Sequence, residues 1–241
     1  MKIINFTIIF LIRYIRFFLT SYPFIYFPII NILNRNVFRL VSNKTDIVIE
    51  GYPRSGNTFL ESMIYLRANR NIVIAHHTHV IAQIKRSLNL NKPILVTIRN
   101  PIDAISSLFN FYEKKIPIEI LLSEYYKYYL FISRSIEKIL IINFDHINDH
   151  ENLIKKIIKR FKLDLNLNRS VDNHSIFENI GKIGKIRHNI NYQEKYLTKD
   201  NKLDKNKNLK IKNIIIDNYS HKNIYKKCQN IYLFLINQIE Q

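Results

Sequence analysis

The chain has 241 residues, a formal net charge of +18, a single cysteine at position 228 and only four glycines. That length is enough for one well-buried α/β domain with additions, and a lone cysteine excludes an internal disulfide and argues against a zinc cluster. The lysines are spread among isoleucines and asparagines along the whole chain, without a helix-turn-helix, zinc-finger or aromatic RNA-binding signature, so no specific nucleic-acid partner is expected.

Residues 1–40 read as an apolar, aromatic segment ahead of a single domain over 41–241. Ile3 to Ile12 is almost wholly apolar, Arg13 and Arg16 interrupt, and Phe17 to Leu33 is apolar again but broken by Pro23 and Pro28. No uninterrupted apolar run reaches the roughly 18 residues of a spanning helix. A signal peptide is not expected either, because the first alanine of the chain is Ala68 and no small-residue cleavage site precedes it. Two readings of residues 1–33 stand: an interfacial helix with its arginines at anionic lipid, or a helix packed on the domain's own surface. The single cysteine suits a reducing compartment, so the expected location is cytoplasmic, at the inner face of a membrane if the first reading holds.

Asp46-Ile-Val-Ile-Glu50 is a short β-branched run suited to a buried parallel strand, and Thr58 to Arg67 has the pattern of a helix. Between them, Gly51-Tyr-Pro-Arg-Ser-Gly-Asn-Thr58 fits the phosphate-loop pattern GxxxxGK[ST] everywhere except at Asn57, which replaces the lysine. With glycines so scarce, two at this spacing behind a strand point to a loop whose amides, with those of Ser55 and Thr58, converge on anionic oxygens at a helix start. The missing lysine argues against ordinary triphosphate hydrolysis, and the cation has moved to Arg54.

Ile72 to Ala75 reads as the next strand, and His76-His-Thr-His79 follows it. His77 and His79, two apart on an extended segment, would share a face, but no cysteine or acidic cluster adjoins them in sequence, and no metal is expected. Pro93 to Ile98 is a further apolar strand that delivers Arg99 at its carboxyl end, with Pro101 opening a helix. In an open parallel sheet Arg99 and the loop at 51–58 face one crevice, where Ser106 or Ser107 could join Arg99 on a second phosphate. Ile118 to Ile139 reads as a long helix rich in tyrosine, suited either to walling an acceptor pocket or to core packing. A strand over 139–144, an amphipathic helix over 151–161, an exposed loop over 198–212 and a closing helix over 214–239 complete the chain.

At Gly51 to Leu60 and at Arg99 to Ser107 the chain resembles the sulfotransferases that use PAPS, 3′-phosphoadenosine 5′-phosphosulfate. The first stretch looks like their 5′-phosphosulfate loop and the second like their 3′-phosphate motif, an arginine followed eight residues later by a serine. The resemblance covers roughly 46–200 and implies a three-layer α/β/α fold of phosphate-loop type with a central parallel sheet. It also implies sulfuryl transfer from PAPS to a hydroxyl acceptor, with no metal. By similarity, His79 is the general base, ahead of His77 and His76, and Arg54 stabilises the leaving phosphate. Gly51, Ser55, Gly56, Asn57 and Thr58 bind the 5′ end, Phe59 stacks on adenine, and Arg99 with Ser107 holds the 3′-phosphate. Phe144-Asp-His-Ile147 looks like a degraded family turn. Gly181-Lys-Ile-Gly-Lys-Ile-Arg187 resembles the family's glycine-containing clamp, which would bring Gly181 and Lys182, or Lys185 and Arg187, to the cofactor. A loop of solvated basic residues is the other reading of that segment. An altered phosphate-loop kinase, or a non-catalytic basic protein that binds polyanions or membranes, remains as the alternative function.

Overall fold

The computed structural model describes residues 2–33, 37–188 and 202–239. Four strands, β1 (Ile47–Gly51), β2 (Ile74–His76), β3 (Ile94–Ile98) and β4 (Leu140–Asn143), form one parallel sheet in the order β2-β1-β3-β4. Val48 pairs with Ala75 on one side and with Ile94 on the other, and Val96 pairs with Ile141. Because side chains alternate along a strand, each strand feeds two cores. Ile47, Ile49, Leu95 and Ile142 enter one; Val48, Ile94, Val96 and Ile141 enter the other.

Helices α3 (Asn57–Arg67), α7 (His150–Phe161) and α8 (Asn173–His188) close the first core. The second is closed by α4 (Ile81–Asn89), α5 (Pro101–Phe111), α6 (Ile118–Ser133), α9 (Lys202–Tyr219) and α10 (Asn223–Asn237). The result is the expected three-layer α/β/α arrangement. An N-terminal pair, α1 (Lys2–Leu19) and α2 (Pro23–Ile32), is bent by 101° at its break. Strand order reverses between β1 and β3, so a crevice opens at their carboxyl ends, where both candidate phosphate motifs begin.

Several expectations change. The tyrosine-rich helix stops at Ser133, and a single 3-10 turn over Ile136–Lys138 leads into β4. Three of its tyrosines are core: Tyr125, Tyr128 and Tyr129 are buried, and the Tyr125 and Tyr129 hydroxyls donate to the carbonyls of Arg99 and Thr97, each at 2.7 Å. Gly181 to Arg187 lies in helix α8, not in a loop. Ile176 and Ile180, one turn apart, are buried against α3, and a helical glycine costs only about 1 kcal/mol, which that burial outweighs. The lysine-rich stretch expected as a loop is helical from Lys202 onward, since Ile211 and Ile215 bury one face of α9 and lysine is a good helix former; residues 198–201 lie outside the described set. The closing helix is two, broken at Ser220 to Lys222.

Gly51 sits at the end of β1, paired with Thr97 of β3. A Cβ there would lie 2.6 Å from the Thr97 carbonyl oxygen and 2.9 Å from Asn57 Oδ1. Gly51→Ala is therefore expected to destabilise the fold by about 1–3 kcal/mol, the range for overpacking a filled site. Urea unfolding measures this, and an unchanged midpoint would show that the two strand ends part easily.

Candidate active site at the ends of β1 and β3

The loop from Tyr52 to Gly56 turns through left-handed backbone: Arg54 has φ 69° and Gly56 φ 93°. A Cβ on Gly56 would meet Phe144 at 2.8 Å and Ile147 at 2.9 Å, so the Phe144 to Ile147 turn buttresses the loop from behind. Gly56 is the N-cap of α3 and no side chain caps that terminus, leaving amides of the first turn for an anion. Beneath the loop, Ser55 is fully buried, and its Oγ has no partner at hydrogen-bonding geometry although it lies beside the Tyr129 phenol.

Asn57, in the lysine position of the motif, is only 3% exposed. Its Oδ1 accepts from the Thr97 hydroxyl, and its Nδ2 lies 3.5 Å from the Gly51 carbonyl. It is a tie between β1, β3 and α3 rather than a phosphate-reaching group. Cations come from elsewhere. Arg54 Nε donates to Ser107 Oγ at 3.0 Å, with its guanidinium 5.5 Å from the centre of the Phe111 ring. Arg99 Nη1 donates to the Arg54 carbonyl at 3.1 Å, and its guanidinium lies 4.2 Å from the centre of the Phe144 ring. Arg99 Nε is buried without a partner, and burial lowers the pKa of this guanidinium. An unmatched donor on a cation, beside a capless helix start, suits an anionic oxygen.

The three histidines separate. His76 Nε2 is 3.2 Å from Glu61 Oε1, and His77 Nδ1 is 3.4 Å from Glu61 Oε2. His77 Nε2 also lies 2.7 Å from Thr58 Oγ1. Glu61 is the acid that the local sequence did not show beside the histidines, because helix α3 brings it there. One ligand atom from each of Glu61, His76 and His77 lies within 4.8 Å of the others, a set able to hold a metal ion. The same contacts also suit a buried carboxylate that accepts from imidazole N–H groups. His79 instead places Nδ1 2.8 Å from the Gly51 carbonyl. A carbonyl only accepts, so Nδ1 carries the proton of the neutral ring and Nε2 keeps the lone pair. His77 and His79 both hold φ 56°, a strained conformation for a residue with a side chain.

Glu50, which sequence reading passed over as part of a strand, is fully buried at the end of β1. It accepts from the Thr78 amide at 2.9 Å, the Thr78 hydroxyl at 2.8 Å and the His79 amide at 2.8 Å. An acid inside an apolar strand was the available signal, since such residues are rarely buried without a task. Burial pushes its carboxyl up to about 7, against the hydrogen bonds from Thr78 and His79. Burial likewise pushes His79 down to about 4, opposed by its bond to Gly51 and helped by the charges of Arg39 and Arg16.

Other expected contacts lie apart from this group. Phe59 packs against the rings of His150 and Phe177, at 5.6 and 5.8 Å between centroids, as part of the core on that side. Gly181 is buried in α8, and Lys182 is exposed and paired with Glu178 at 2.8 Å. The side chains of Lys185 and Arg187 are outside the described set.

No family model matches the sequence, and no curated protein matches it. Among solved structures, mouse sulfotransferase SULT7A1 complexed with PAP is similar at 13% identity, over 82% of this chain and 91% of that one, with a TM-score of 0.40. A likeness that loose carries no argument about what this chain does.

The pH dependence of folding tests the buried Glu50 and the half-buried His79. Glu50 holds its proton more tightly folded than unfolded, so its contribution to stability falls as pH rises from about 4.5 through about 7. His79 acts oppositely, its contribution being lost as pH falls from about 6.5 through about 4. Glu50→Gln should leave only the histidine slope, so the stability of the native chain minus that of the variant, from denaturant unfolding, should decline between about pH 5 and about pH 8. A difference flat across that range would mean that Glu50 does not titrate there.

Proposed function

We propose that the protein transfers a sulfuryl group from PAPS to a hydroxyl acceptor. The observation that carries this reading is that a histidine and an arginine from two other segments are both hydrogen-bonded to the backbone of one phosphate-type loop: His79 to Gly51 and Arg99 to Arg54. A general base and an anion-binding cation are thereby held at opposite ends of four residues, Gly51 to Arg54, in the crevice where strand order reverses.

PAPS, when bound, supplies an electrophilic sulfur and a bisphosphate leaving group. The residues fit such a ligand in three respects: an uncapped helix start behind Gly56, an orphaned Arg99 Nε, and the Arg54 and Ser107 side chains at the mouth of the crevice. The α3 amides and Arg54 would hold the 5′ end, and Arg99 with Ser107 the 3′-phosphate. His79, neutral at physiological pH, takes the acceptor proton at Nε2 while the Gly51 carbonyl keeps Nδ1 protonated and the ring oriented. Glu50 fixes the His79 backbone and is a positioning residue. The withdrawal of Asn57 into a buried tie disfavours a triphosphate kinase, whose loop lysine must reach the β- and γ-phosphates.

Calorimetry in magnesium-free buffer should show clear preference for 3′-phosphoadenosine 5′-phosphate over ATP and AMP. Arg99→Ala should weaken that binding by about 10–100-fold, the loss of a charge-assisted contact. His79→Ala should keep it and reduce turnover by about 10²–10⁴. Preference for ATP, or indifference among the three nucleotides, would refute the reading.

A further inference from the structure

Helix α1 carries its apolar stripe on the wrong side for a core helix. Ile8, Leu11, Ile12, Ile15 and Phe18 recur at helical spacing, and all are exposed, Leu11 at 55% and Ile12 at 60%. Phe24 and Ile32 continue the exposed surface onto α2, at 73% and 83%. Single exposed apolar residues are ordinary, but a stripe at this spacing marks a surface that something covers.

The opposite face of the pair is firmly attached to the domain. Arg13 makes a bidentate pair with Glu124 of α6, through Nε at 2.8 Å and Nη2 at 2.5 Å. The Ala82 amide at the start of α4 donates to the Thr20 carbonyl at 3.0 Å, and Phe27 is buried with the Arg86 guanidinium 4.1 Å from its ring centre. The outward stripe is thus displayed by a docked element.

What covers it follows from charge. Residues 1–45 contain Lys2, Arg13, Arg16, Arg35, Arg39 and Lys44 and no acidic residue; Asp46 is the first. A second copy pairing through the same surface would set like charge against like, whereas an anionic bilayer attracts it. The aromatic rings of Tyr14, Phe18, Tyr22 and Phe24 suit the headgroup region. The 101° bend denies the pair a continuous span, and no single helix among the described residues is long and apolar enough to cross a membrane.

We propose that α1 and α2 form a docking surface for an anionic lipid bilayer, and that this surface turns the acceptor side of the crevice toward the membrane. Tyr26 of α2 lies beside Thr78 and Glu50, the carboxylate that accepts from the His79 amide, and α4 begins two residues after that histidine. The acceptor class that fits is a hydroxyl on a lipid headgroup, an assignment that rests on the sulfuryl-transfer reading, whereas docking itself does not.

Sedimentation of the full chain with vesicles tests the docking. Pellets should form with phosphatidylcholine vesicles containing phosphatidylglycerol and weaken with phosphatidylcholine alone. Leu11→Asp combined with Ile15→Asp, both at exposed positions, should lower binding to the anionic vesicles at least about tenfold while thermal unfolding and 3′-phosphoadenosine 5′-phosphate affinity stay unchanged. Equal binding by the variant, no binding by the native chain, or a dimer in light scattering that the variant dissolves would overturn it. With radiolabelled PAPS and vesicles of total membrane lipid, label should enter the organic extract; label confined to the aqueous phase would overturn the lipid acceptor. Nucleotide calorimetry, run without vesicles, fails or succeeds independently and so isolates a failure of the transfer reading.

Discussion

The contact between Gly51 and Thr97 is the constraint around which the crevice is built. With no side chain at Gly51, the ends of β1 and β3 close until the Thr97 hydroxyl reaches Asn57, and the first turn of α3 is drawn against both strands. The Tyr129 hydroxyl completes the junction, accepting from the Tyr52 amide at 3.2 Å and donating to the Thr97 carbonyl. One buried phenol therefore serves the exit of β1 and the exit of β3 together. Burial raises the pKa of Tyr125 and Tyr129, keeping their hydroxyls protonated and able to donate. The loop after β1 and the arginine after β3 then emerge from a fixed frame, and preorganisation of this kind is what electrostatic catalysis needs.

Charge is handled differently on the two sides of that frame. At the loop the donors are cations: the Arg99 guanidinium bonds the carbonyl of Arg54, while the Arg54 side chain donates to Ser107. Behind β2 the situation reverses, with Glu50 and Glu61 buried among histidines. Glu61 lies within 3.2 Å of His76 and 3.4 Å of His77, whereas Glu50 accepts from two amides and a hydroxyl, and His79 is the histidine bonded to the loop carbonyl. The separation of the three histidines depends on which acid each one meets, and those acids sit on different elements.

That dependence marks where sequence reading stopped. The strand, loop and helix from Ile47 to Arg67, and the strand and helix around Arg99, were legible because β-branched runs, two rare glycines and a helix-starting proline act locally. Glu61 beside the histidines was not, since it comes from another element. Nor was the role of Asn57, which read as a lost cation and is in the fold a gained hydrogen-bond tie. The Gly181 to Arg187 segment reads from its glycines as a clamp or a loop, and the lysine-rich stretch over 198–212 as a loop, because glycine and charge usually mark irregular backbone. Their helices are set by isoleucines one turn apart that find a core only in three dimensions, Ile176 with Ile180 and Ile211 with Ile215.

The N-terminal pair shows the same principle from the other side. Sequence left residues 1–33 between a bilayer and the domain, and the fold divides the helices by face: Arg13 and Phe27 are spent on the domain, while the stripe from Ile8 to Phe18 is left outward. An ion pair between Arg13 and Glu124, partly buried on both sides, holds α1 to α6 more firmly than an exposed pair would, because both oxygens of the carboxylate are engaged. The same arginine is thereby engaged by the domain, while Arg16, one turn on, is exposed and open to a headgroup. A substitution at Arg13 would thus loosen the surface from α6, whereas one at Arg16 would lower its positive charge and remove part of the downward push on the His79 pKa.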